Sequence, residues 1–189
     1  MRERRIGSLS RLLPDGRAFS VQTIVLPEEA GSPSVAAAEA VAGDYFASLG
    51  RSGAGLLAVD RSSEAFALRL RGLRAPLLAF APAGEVPEPD GTAVSYAITG
   101  GLLLRRGAEG GRLCFRLART KEGLRVTVDL EAFAPALLAL PGGRALCRFI
   151  QLPFHARAGR RFLRRLRRRP RLDRSRPPDD NGRTPDKRR

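Results

Sequence analysis

A single histidine, His155, excludes any metal site or proton relay that needs several imidazoles. Two cysteines, Cys114 and Cys147, are too few for a disulfide framework or a thiolate metal set. Free thiols in a reducing, cytoplasmic setting are the expectation. Tryptophan is absent and aromatic residues make up only 6% of the chain, so a ligand pocket would be lined mainly by aliphatic side chains. Lysine is nearly absent as well, occurring only at positions 121 and 187, which leaves arginine as almost the whole of the 34 basic residues. Such an imbalance, alongside abundant Ala, Gly and Leu, also follows from compositional bias without selection for binding. The longest apolar run, residues 132–141, falls short of the roughly 20 residues a transmembrane helix needs. The first residues are charged and lack the apolar core of a secretory signal.

What is present is a chain of 189 residues with a net charge of +15, sized for one domain and a tail. The charge is concentrated from Arg157 onward, where arginines greatly outnumber carboxylates, while the body is close to neutral. That asymmetry points to an anionic membrane surface or nucleic acid as a partner.

Residues 1–18 are charged and broken by Pro14 and Gly16, which predicts a poorly ordered basic arm. Residues 19–26, FSVQTIVL, are rich in β-branched side chains and predict a first strand. Ser32 and Pro33 suit a helix N-terminus, and Val35, Ala38, Ala42, Tyr45, Phe46 and Leu49 follow at helical spacing up to Gly50. The middle then changes to a period of two. Phe66, Leu68 and Leu70 alternate with polar or small neighbours, as do Val94, Tyr96 and Ile98. Residues 76–82 are apolar throughout, and Leu102 to Arg105 continues a long strand past the bend at Gly100 and Gly101. Residues 85–91 are rich in proline and predict a loop. Leu113, Phe115 and Leu117 face one way, and Leu124, Val126, Val128 and Leu130 alternate with Arg125, Thr127, Asp129 and Glu131. One face of this antiparallel sheet is core and the other is solvent.

The stretch from Pro141 onward predicts a long C-terminal helix, kinked or broken at Pro153, because proline removes one backbone bond and crowds the carbonyl four residues back. Leu146, Ile150, Phe154, Ala158, Phe162 and Leu166 form an apolar row at a spacing of four. Arginines occupy the opposite side. Residues 170–189 have almost no apolar side chains and predict a disordered basic tail.

The order strand, helix, antiparallel strands and long C-terminal helix over residues 19–169 resembles the helix-grip fold of the START/SRPBCC superfamily, which includes polyketide cyclases and lipid-transfer domains. The stretch SYAITGGLLLRRGAEGGRLCFRLART, then GLRVTVDLEAFAPAL and RFIQLPFHARAGRRFLRRL, resembles bacterial members without an assigned function. One helix stands between the first strands where two short ones are usual. The resemblance implies an α+β domain with a curved antiparallel sheet of about six to seven strands against the C-terminal helix. It also implies an apolar cavity between them for a lipid or polyketide-like molecule. The sheet would line it with Phe66, Val94, Tyr96, Phe115 and Val128, and the helix with Phe149, Ile150, Phe154 and His155. No catalytic residue carries over, since the superfamily has no common catalytic motif. A cyclase or dehydratase using the same cavity is an alternative.

The chemistry-bearing residues weigh the same way. His155 and Tyr96 could each present a polar group to a ligand inside an apolar site, although a buried Tyr or His more commonly serves the fold. Arg116 is expected to be solvated, and the carboxylates show no pairing useful for acid–base work. Gly50, Gly53 and Gly55 do not precede a helix and Gly142 and Gly143 lack a following Lys-Ser/Thr, so no nucleotide or other cofactor site is readable, and no metal site either. The basic end offers a further function: Arg157, Arg160, Arg161, Arg164, Arg165 and Arg168, with Phe162, Leu163 and Leu166 among them, suit an anionic membrane surface. Nonspecific nucleic-acid binding is the weaker form of the same idea, because Phe162 alone cannot build a stacking platform.

Overall fold

Strand β2 (Ala18–Leu26) shows the alternation the sequence asks for, with every second residue buried from Ala18 to Leu26. The computed structural model describes residues 6–52, 56–61, 65–81, 84–108, 110–168 and 172. Nine strands form one antiparallel sheet: β1 (Gly7–Leu12), β2, β3 (Leu57–Arg61), β4 (Phe66–Leu70), β5 (Pro76–Phe80), β6 (Gly84–Glu88), β7 (Gly91–Gly100), β8 (Arg112–Thr120) and β9 (Gly123–Phe133). They lie in the order β1-β2-β9-β8-β7-β5-β4-β3, with β6 paired to β7 alone. The chain is thus α+β, with more strands than the six or seven expected.

Two additions, β1 and β6, and one shortening have local causes. Residues 7–12, expected in an unstructured arm, pair along β2 from Gly7 opposite Thr23 to Leu12 opposite Ala18. A charged, Pro-punctuated segment can still be an edge strand, since only one side of it needs hydrogen bonds. The Pro-rich residues 84–88, expected as loop, hairpin back onto the first half of β7, while β5 takes the second half. After Gly100 the expected strand continuation is a turn instead. Gly101 has φ +120° and packs so close to the Leu77 backbone that a Cβ would overlap it.

Helix α1 (Val35–Ser52) starts two residues later than Ser32 and Pro33 suggest, and it runs past Gly50. Ser34 is the cap: its Oγ accepts from the Ala37 amide at 3.1 Å. Ser32 instead accepts from Arg119 at 3.0 Å. Helix α1 lies over β3, β7 and β8. The small residues Ala38, Val41 and Ala42, fully buried, let it sit close to the sheet.

The C-terminal helical segment comprises α2 (Gly143–Leu146), a π-helical turn (Cys147–Gln151) and α3 (Leu152–Arg168). It does not break at Pro153. The π-turn lies just before the proline, and it is itself a local irregularity of the helix. The row at a spacing of four does not survive as a buried stripe. Each step of four advances about 40° around a helix of 3.6 residues per turn, so a long row rotates out of the core. Leu146 and Phe154 are exposed, whereas Ala158, Phe162 and Leu166 are buried together with Leu152, Ala156, Gly159 and Leu163. Helix α3 packs on β1 and β2 and touches α1. Residue 172 returns to the body: Leu172 is buried and its amide donates to the Ala30 carbonyl at 2.9 Å. The rest of the expected tail lies outside the described residues.

Candidate functional site

Under α1, rings from the helix and the sheet pack against one another. Phe46 stacks on Phe66 at a centroid distance of 4.3 Å and meets Phe80 and Tyr96 edge-on at 5.1 and 5.4 Å. Tyr45 bridges Phe115 and Phe162 at 5.4 and 5.3 Å. Edge-to-face contacts at these distances add to the burial energy of each ring. Phe66, Val94, Tyr96, Phe115 and Val128, named above as the sheet's share of a cavity, are therefore brought together, with Phe46 of α1 seated among the aromatic ones. Burial pushes the Tyr96 hydroxyl above the usual tyrosine range, with Glu39 adding to the rise and Arg61 opposing it.

The helix residues scatter. Phe149 is 72% exposed and Phe154 48% exposed, on the outside of the segment. The Ile150 side chain lies outside the described residues. His155 sits between the rings of Phe133 and Phe154, each 6.4 Å away. Burial lowers its pKa to about 4, so it is neutral at physiological pH. Over the two turns before it, the buried Cys147 thiol donates to Gln151 Oε1 at 3.5 Å, and Gln151 Nε2 has no partner among the described residues.

An open space does exist, on the other side of α3. A groove of about 1060 Å³ runs between β1 with its following turn and the C-terminal helical segment. Leu12, Leu152, Pro153 and Ala156 give it an apolar floor, and Phe149 stands at its wall. Arg11, Arg144, Arg148 and Arg160 rim it, and no carboxylate lines it. Ser10, also in the lining, begins a buried polar chain: its Oγ lies 2.6 Å from Ser20 Oγ, which accepts from Gln22 Nε2 at 2.6 Å. Gln22 in turn lies directly beneath Gly159 of α3, where a Cβ would collide with its amide. No sequence signal marked this groove, because β1 itself was expected to be unstructured.

The outer face of the sheet holds an ion cluster that the sequence reading missed. Arg116 Nε and Nη2 donate to Asp129 and Glu131, each at 2.6 Å, and Nη1 pairs with Glu88. Burial works against the cation, but Asp129 outweighs it and keeps Arg116 charged. The carboxylates converge here on an arginine rather than on each other, which serves the sheet and leaves no acid–base pair. The strand register supplied the missing signal, since Arg116 stands opposite Thr127 with Asp129 diagonal to it on the same face. Beside the cluster a smaller space of about 390 Å³ is lined by Arg17, Ser95, Arg112 and Glu131. Burial and the neighbouring carboxylates push the Cys114 thiol up to about 12, which makes it inert.

Of the six arginines expected to meet an anionic surface, Arg157, Arg161, Arg164 and Arg168 are exposed, while Arg160 and Arg165 are half-buried. Arg165 donates to Ser48 of α1 at 3.4 Å. The ion pairs among the described residues lie elsewhere, at Arg17, Arg69, Arg112 and Arg116. No group of His, Cys, Asp and Glu among the described residues is placed to hold a metal ion. No helix among them is long and apolar enough to cross a membrane.

No protein-family model and no curated protein matches the chain. Among solved structures, that of CalU16 from Micromonospora echinospora aligns over 85% of this chain and 94% of that one. The identity is 12% and the TM-score 0.26, a likeness too slight to carry an argument.

Proposed function

We propose that the chain is a helix-grip protein of the START/SRPBCC kind that binds a hydrophobic small molecule, lipid-like or polyketide-like, between its sheet and its C-terminal helix. The groove beside β1 supports this reading, because it combines sufficient volume, an apolar floor and a few convergent polar groups. The space beneath α1 is taken by the chain's own rings, so the binding place is the groove and not the sheet's aromatic face. Four arginines at the rim with no opposing carboxylate suit a ligand whose apolar body ends in an acid or phosphate.

Native mass spectrometry of the protein purified from its source tests this. A bound apolar molecule is expected, retained by the natural chain. Ala156→Phe, which fills the floor, should weaken retention at least about tenfold, a loss of roughly 1.4 kcal/mol. Tyr96→Phe should leave retention unchanged. Loss through Tyr96→Phe with Ala156→Phe unaffected would place the ligand elsewhere and overturn the assignment.

A further inference from the structure

The exposed face beside the groove carries two features together. The first is charge of one sign: nine arginines and not one Asp or Glu occur between Ala132 and Arg168. Phe154, Arg157, Arg161, Arg164 and Arg168 are three or four apart and share one exposed side of α3. The second is apolar bulk. Phe149 and Phe154 are 72% and 48% exposed, and Leu146, one turn before Phe149, is 36% exposed. The π-turn contributes to this placement. Its longer repeat brings Phe149 and Phe154, five residues apart, nearer to one side than a regular helix would. Arg148 lies over the Phe149 ring at 5.9 Å, holding a cation beside the most exposed aromatic.

We infer that this face docks on an anionic lipid bilayer, with Phe149 and Phe154 entering the acyl boundary and the α3 arginines reaching the headgroups. Charge complementarity selects an anionic partner, and the protruding Phe and Leu side chains select a membrane over nucleic acid. Phosphates of a duplex would be met by arginines alone and would leave those apolar groups in water. The inference stands independently of any groove ligand, although the groove opens beside the same face.

Co-sedimentation of the full chain with vesicles tests it, using phosphatidylcholine alone and phosphatidylcholine with phosphatidylglycerol. Binding is expected only to the anionic vesicles, and it should fall as salt rises. Arg157→Gln and Arg161→Gln should each weaken it about fivefold. Phe149→Ser combined with Phe154→Ser should weaken it at least about tenfold while leaving the salt dependence in place. Failure to bind anionic vesicles at low salt would overturn the inference. So would binding that ignores the Phe pair, or tighter binding to duplex DNA that competes the vesicles away.

Discussion

The two halves of this molecule share one sheet and one helical layer, yet they use them in opposite ways. Under α1 the facing residues are rings, and they close on one another at centroid distances down to 4.3 Å. Along α3 the buried residues include Leu152, Ala156, Gly159 and Leu163, with Gly159 set over Gln22 of β2 and the helix packed on β1 as well. Ala156 and Gly159, set over Gln22, fill less width than rings do, and a groove remains at the β1 margin. The difference teaches that side-chain volume, not helix position, decides where this fold is open.

The comparison breaks most readily through volume. Phe46→Ala would remove the ring that stacks on Phe66 and touches Phe80 and Tyr96, leaving a cavity. The expected loss of stability is about 3–5 kcal/mol by denaturant unfolding. On the α3 side the vulnerability is reversed. Gly159→Ala would drive a methyl group into Gln22 and should cost about 1–3 kcal/mol by overpacking. A milder effect from Phe46→Ala than from Gly159→Ala would mean the rings are not what closes that half.

A smaller effect sharpens the contrast through pH. The folded pKa of His155 lies near 4, below the ordinary 6.5, because desolvation of its half-buried ring beside Phe133 disfavours the charged form. Between those values the unfolded chain binds the proton and the folded chain does not, so stability falls as pH drops through that window. The slope due to this residue approaches about 1.4 kcal/mol per pH unit at most. Unfolding curves of His155→Gln should show a correspondingly flatter pH dependence over the same window, and an unchanged slope would show that the imidazole is solvated.

Much of the architecture was legible from period. β2 alternates cleanly in burial, the apolar sets of β8 and β9 are buried on one face although Cys114 and Asp129 on the other are buried too, and α1 declares itself through Ala38, Ala42, Tyr45 and Phe46. The edge strands were not legible. β1 and β6 each bond on one side only, tolerate charge and proline, and so carry a weak pattern. The groove was hidden for that reason: one of its walls is β1. The helix stripe misled for a different one, since a spacing of four rotates out of the core and the π-turn adds a further offset before Pro153. Phe66, Tyr96 and Phe115 were correctly seen to share a face, but nothing in their own strands showed that Phe46 from α1 sits among them.

Backbone amide chemical shifts, followed during titration with a long-chain fatty acid, locate an apolar guest most directly. Shifts at Ser10, Leu12, Leu152 and Ala156, with the amides of Val94, Tyr96 and Phe115 unmoved, are the predicted result. Movement confined to those three strand residues would put the guest beneath α1 and contradict the account.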